Sequence, residues 1–255
     1  MLILLSIMGG LLTIAVVVIV TGLGISILGN GKRYSVKNTD SLENSPLKSM
    51  RILFLGSSIT VGLGSMGESF VDFLEKKDGI IPIKKAVNGT TLVDNGRKSY
   101  IQRLKKVGTS EKIDAFVCQL STNDARKKLP LGKISETKNY DTHTTVGAIE
   151  AILNYARSTW NCPVIFLTST RYNNSGYDPK HYDKMVYLLL EIQKKWNIGV
   201  IDLWNNTRLN DISKKEHKLY SIDGIHPTRA GYKLWWLPAI ETYLYSYLGE
   251  GDFKR

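Results

Sequence analysis

Cysteine is scarce in this chain of 255 residues, which holds only Cys118 and Cys162. They do not form a Cys-x-x-Cys pair, so the usual zinc-site spacings are excluded and no metal is expected. Cys118 lies in "AFVCQL" and Cys162 just before "PVIFLT". On adjacent parallel strands they would stand at different heights, and buried free thiols are expected. Acidic residues are also few: 23 Asp and Glu against 34 Lys and Arg give a formal charge of +11. Zinc-finger spacing and RNA-binding aromatic motifs are both missing, so nucleic acid is not an expected partner. The basic excess suits acidic wall polymers or anionic lipid head groups, and equally a plain lysine-rich solvated surface. Internal repeats and low-complexity segments are lacking.

Charge is missing altogether from Leu2 to Leu28, a run rich in Leu, Ile and Val. It exceeds the ~20 apolar residues that cross a bilayer as a helix. It is longer than the apolar core of a cleaved signal, no Lys or Arg precedes it, and no clear Ala-x-Ala site follows. The expectation is one transmembrane anchor over residues 1–29, with a cleaved signal as the alternative. A polar linker over residues 30–49 and a catalytic domain over 50–250 would follow. Lys32, Arg33 and Lys37 come directly after the run. By the positive-inside rule they favour a cytoplasmic domain.

What is present from Met50 onward is alternation. "RILFLG", "IPIKKAVN", "DAFVCQLS", "PVIFLTST" and "IGVIDLW" read as strands by apolar run and β-branched content. Between them, residues 68–77, 97–108, 142–160 and 181–196 read as helices, and residues 228–248 as a closing helix interrupted before Pro238. Strands alternating with helices of this length make parallel βαβ units, with helices on both faces of the sheet. Sites in such sheets form beyond the carboxyl ends of the strands.

Four loops fall there: "GSSIT", "NGTT", "STND" and "DGIHP". Acyl transfer needs a hydroxyl nucleophile, a base, a group that orients the base, and donors for the oxyanion. Asp223 and His226, three apart in a turn, can serve as orienter and base, with Pro227 opening the last helix. "GSSIT" offers Ser57 or Ser58 as nucleophile, and the residues alone leave that choice open. Gly89 lets backbone approach a ligand closely, and the Asn123 amide can donate to an oxyanion. Each loop also has a bland reading as a cap or turn. His143, His181 and His217 lie in helical or polar stretches and are expected to be exposed.

The order "FLGSSIT", "AVNGTTL", "QLSTND", "SIDGIHPTRAGY" resembles the four blocks of the SGNH-hydrolase (GDSL-lipase) superfamily. The resemblance runs from about Arg51 to about Leu248. It implies a flavodoxin-like, three-layer α/β/α domain with a parallel five-stranded sheet and metal-free esterase or acylhydrolase activity. It also assigns roles: Ser58 as nucleophile, His226 as base, Asp223 as its orienter. Ser58 N–H, Gly89 and Asn123 would form the oxyanion hole. Two positions depart from the family pattern. Ser57 stands where an aspartate is usual, which bears on loop geometry. Ser121 stands where glycine is usual, and a site floor narrowed there would favour small acyl groups.

The expectation is therefore a membrane-anchored serine esterase, needing no cofactor, that cleaves short-chain esters of carbohydrates or small lipids. The alternative is an acyl-transferring or non-catalytic module on the same fold. Enzymes of the superfamily are often exported, which tips the expected location of the domain to the extracytoplasmic side.

Overall fold

The computed structural model describes residues 28–249. The expected anchor therefore lies outside the described residues apart from its last two. Among the described residues, no helix is long and apolar enough to cross a membrane.

Five parallel strands form one sheet in the order β2-β1-β3-β4-β5: β1 (Arg51–Gly56), β2 (Ile81–Ala86), β3 (Ala115–Gln119), β4 (Val164–Leu167) and β5 (Gly199–Ile201). The central strands β1, β3 and β4 are buried almost throughout, which explains their continuous apolar sequence. The edge strand β2 carries Pro82, Lys84 and Lys85 and is only half-buried. Proline and lysine on an edge discourage pairing with another chain.

Each face of the sheet has its own core. On one side α3 (Tyr100–Leu104), α5 (Thr145–Trp160) and α6 (Pro179–Trp196) cover Leu53, Leu55, Phe116 and Phe166. On the other, α2 (Phe70–Asp78) and the closing helix cover Ile52, Phe54, Val117 and Ile165. Alternate residues of each strand point to opposite faces, so one apolar run feeds both cores. The expected three layers are present. Short helices complete the chain: α1 (Ser58–Val61), α4 (Thr122–Arg126), α7 (Thr207–Asn210) and α8 (Lys214–Tyr220).

Several boundaries differ from the sequence reading. The helix expected over 97–108 is only Tyr100–Leu104, capped by the Ser99 hydroxyl. The closing helix does not break before Pro238. It runs through a π-type segment, Gly231–Trp236, into α9 (Leu237–Leu244) and a second π segment, Tyr245–Gly249. Proline lacks an N–H and crowds the preceding turn, and a local π register absorbs that without interruption. Pro227 does not open this helix either: it pairs with Ser221 in an isolated bridge. The entrance is held by Thr228, whose Oγ1 accepts from Gly231 N–H at 3.1 Å.

The stretch read as a polar linker is packed onto the domain. Leu47 is fully buried, Ser45 Oγ donates to Asp78 at 2.7 Å, and Leu42 N–H donates to Lys77 O at 2.7 Å. Leu47 acts as a peg, while Ser41 and Ser45 bond to α2. Both cysteines are free: Cys118 pairs in register with Phe166, four residues beyond Cys162, so the two stand at different heights. Cys118 is buried, whereas Cys162 is only half-buried.

Candidate active site

β1 and β3 are neighbours from which the chain departs in opposite directions across the sheet, to β2 and to β4. A crevice opens beyond their carboxyl ends at such a switch point. The loop after β1 enters α1, and Ser58 is its first helical residue. Gln119, the last residue of β3, sets this turn. Its Oε1 accepts from Ser57 N–H at 3.0 Å and from Thr60 Oγ1 at 2.7 Å.

The two serines are thereby separated. Ser58 Oγ lies 2.9 Å from His226 Nε2. Ser57 is completely buried. The Ser58 hydroxyl thus has a base beside it, and the Ser57 hydroxyl does not.

His226 Nδ1 lies 2.6 Å from Asp223 Oδ2. The other carboxylate oxygen accepts the backbone N–H groups of His226 at 2.8 Å and Ile225 at 3.0 Å. Partial burial works to raise the Asp223 carboxyl, but the bonds from the His226 ring and backbone and from Ile225 outweigh it and hold it below the usual range. An ionised carboxylate only accepts, so Nδ1 carries the proton and the Nε2 lone pair faces Ser58. Gly224 sits in the left-handed region (φ +81°), and a Cβ there would stand 2.1 Å from Asn173 O. The turn that brings Asp223 to His226 therefore demands glycine. Asn174 Nδ2 supports it by donating to Asp223 O at 2.7 Å.

The second half of the site joins the loops after β2 and β3. Gly89 has φ +73° and open space where a Cβ would stand, so its requirement is torsional. Asn123 Nδ2 donates to Thr90 O at 3.0 Å, which spends one of its two amide hydrogens and leaves a second. Asp124 fastens the loops together, with its two oxygens accepting Leu92 N–H at 3.0 Å and Val93 N–H at 3.1 Å. Burial raises its carboxyl against the pull of these bonds and of Ser121. Ser121 does not narrow an open floor. It is fully buried and caps α4, its Oγ accepting from Asp124 N–H at 3.3 Å.

Arg103, only 9% exposed, ties the end of β1 to β2 and the loop after it. It donates to Gly56 O at 2.8 Å and to Thr90 Oγ1 at 3.0 Å, and also to Lys85 O. Burial lowers its pKa. Sequence reasoning did not single out Gln119, Asp124 or Arg103. Asp124 adjoins Asn123 in "STND" and Gln119 begins that block, so position beside a motif was the one available signal. Nothing in the sequence marks Arg103. Of the remaining histidines His143 is exposed, but His181 and His217 are half-buried. His217 lines a cleft of about 350 Å³ with Lys214, Lys218, Ile222 and Asp223. On the Gly89 side a cleft of about 320 Å³ is lined by Asn88, Arg97 and Lys98. Among the described residues, no cluster of His, Cys, Asp and Glu could hold a metal ion.

The model of the GDSL-like lipase/acylhydrolase family matches residues 54–234, a span that takes in all four loops. The chain belongs to that family. Membership makes this GDSL-like protein a hydrolase of carboxylic esters. Solved structures agree in fold. A Lactobacillus plantarum protein is 18% identical, with TM-score 0.65, over 78% of this chain and 98% of that one. A lipase/acylhydrolase from Enterococcus faecalis is 20% identical, with TM-score 0.57, over 77% and 96%. A carbohydrate acetylesterase family member from Sinorhizobium meliloti is 16% identical, with TM-score 0.57, over 78% and 99%. No curated protein matches.

Proposed function

We propose that this GDSL-like hydrolase is a membrane-anchored serine esterase that removes short acyl groups, acetyl above all, from carbohydrate or small lipid esters. The observation that carries the reading is the hydrogen-bonded chain Ser58–His226–Asp223. Ser58 Oγ attacks the ester carbonyl while His226 Nε2 takes its proton. Asp223 holds the imidazole in that tautomer and stabilises the imidazolium. Ser58 N–H, Gly89 N–H and the second Asn123 amide hydrogen stabilise the tetrahedral oxyanion. His226 then protonates the departing alcohol. Water, activated by the same imidazole, releases the acid and restores Ser58.

The short-chain preference rests on the loops after β1 and β2, which carry no insertion long enough to form a lid. The carbohydrate reading rests on the basic clefts at Lys214 and Lys218 and at Arg97 and Lys98, and it agrees with the name of the Sinorhizobium relative. Anchoring rests on the uncharged run before Gly29. We place the domain on the outer face, where acylated surface glycans lie. Protease added to intact cells should remove it.

The decisive experiment is a fluorophosphonate probe followed by peptide mapping, with aryl esters of increasing chain length in parallel. Label on Ser58 and fastest turnover of acetate are expected. Label on Ser57, or faster turnover of a long-chain ester at saturation, would overturn the assignment. No turnover of any ester would favour the binding-module alternative.

A further inference from the structure

Eight large apolar side chains are exposed among the described residues. Four of them, Leu28, Leu63, Met66 and Ile222, belong to segments that meet around His226. Ile222 N–H donates to His226 O at 3.1 Å. Gly64, between Leu63 and Met66, lies so close to this turn that a Cβ on it would stand 2.7 Å from His226 O and 2.6 Å from Pro227 O. Asn30, two residues after Leu28, donates through Nδ2 to Gly64 O at 3.0 Å. Its Oδ1 accepts from Arg229 N–H and its backbone carbonyl from Arg229 Nη1, both at 3.0 Å. Arg229 also pairs with Glu68 at 2.8 Å, and Glu68 accepts Val36 N–H at 2.9 Å. The chain leaving the uncharged run is thus fastened to the loop that holds the base.

This placement has a mechanical consequence. A flexible tether would let the domain tumble, whereas segment 28–38 is clamped to loop 64–68 and to Arg229, beside the turn that carries His226. Met66 is 74% exposed and Leu28 63% exposed, which is costly in water and favourable at an interface. Basic groups flank the apolar ones: Lys32, Arg33 and Lys37 are exposed, and Lys214 and Lys218 share a cleft with Ile222. The neighbouring acids are committed, Glu68 to Arg229 and Glu216 to the Ser213 N-cap. An apolar rim inside a basic border complements an anionic lipid surface.

We infer that Leu28, Leu63, Met66 and Ile222 form a membrane-facing rim, so that the mouth of the Ser58 site rests against the head groups of an anionic bilayer. The inference rests on the anchored reading above. It confines the enzyme to esters within reach of the lipid surface and keeps it from ranging outward on a stalk.

The test uses the full chain with Cys162→Ser, leaving only the buried Cys118, and an environment-sensitive fluorophore at Met66→Cys or, in a second protein, at Tyr187→Cys. Tyr187 is also well exposed, at 64%, but lies on α6, in the opposite helical layer. Both proteins are reconstituted into phosphatidylcholine vesicles containing phosphatidylglycerol, with a spin label on the lipid head group. Quenching at residue 66 should be several-fold stronger than at residue 187. Equal quenching, or none at residue 66, would overturn the rim, and failure to float with the vesicles would overturn the anchor and the rim together. Aryl acetate hydrolysis by the same labelled proteins reports separately on the serine mechanism, since neither labelled position belongs to it.

Discussion

The two halves of the site are built differently. The half that carries Asp223 and His226 is made by local chain geometry: a four-residue turn, a left-handed glycine and backbone N–H groups on one carboxylate. The half that carries Gly89 and Asn123 is assembled from two separate loops. Buried Asp124 binds those loops together, and buried Arg103 ties the Gly89 loop to the end of β1. Proton transfer needs two atoms at hydrogen-bond distance, which a turn can supply. An oxyanion hole needs donors from different parts of the chain aimed at one point, so its accuracy depends on what lies behind them.

The sharpest way to test this contrast is to remove each half in turn. Ser58→Ala and His226→Ala should each cut kcat for an aryl acetate by about 10³-fold or more, with nearly equal losses because the two act as one unit. Circular dichroism should show the fold unchanged. If the His226 variant keeps most of its activity, the relay is not the proton path.

Asp223→Asn should be severe but milder than either, because the ring loses its fixed tautomer while the backbone bonds of the turn partly persist. Asp223 also links to stability. Its folded pKa is depressed, so its contribution is complete above the unfolded value of about 3.9 and is lost as pH falls through the lower folded value.

The half that carries Gly89 and Asn123 should respond in two grades. Asn123→Ala, which removes a proposed oxyanion donor, should lower kcat by about 10²-fold with little change in KM. Asp124→Asn puts an amide against two backbone N–H donors, should destabilise the fold by about 1–3 kcal/mol, and should lower kcat by a smaller factor. A thermal melt beside the kinetics distinguishes them. If Asp124→Asn melts normally and turns over normally, the loops do not need that clasp.

Ser57→Ala should have the smallest effect, within about threefold in kcat. Its backbone N–H bond to Gln119 survives the change, and its hydroxyl reaches no reacting atom. A loss comparable to that of Ser58→Ala would reverse the order of the two serines.

Much of this was legible before the fold. Continuous apolar runs announced β1, β3 and β4, because strands buried on both faces need no polar residue. "DGIHP" announced the hydrogen-bonded pair of Asp223 and His226, because their relation is local. The choice between Ser57 and Ser58 was legible only through resemblance. The apolar pattern is indifferent to it, and the direction of each hydroxyl follows from Gln119, some 60 residues on.

The sequence by itself determined the parallel α/β architecture, the order of the site loops and the groups able to do the chemistry, because periodicity and local turns follow from short-range sterics and hydrophobic burial. The tertiary structure alone decided which serine meets His226, that Ser121 caps a helix and does not shape the site floor, that Arg103 ties the loop after β2 to the end of β1, and that segment 30–49 is clamped and not free. Those depend on contacts between residues tens to hundreds of positions apart, and no spacing along a chain encodes where such partners meet.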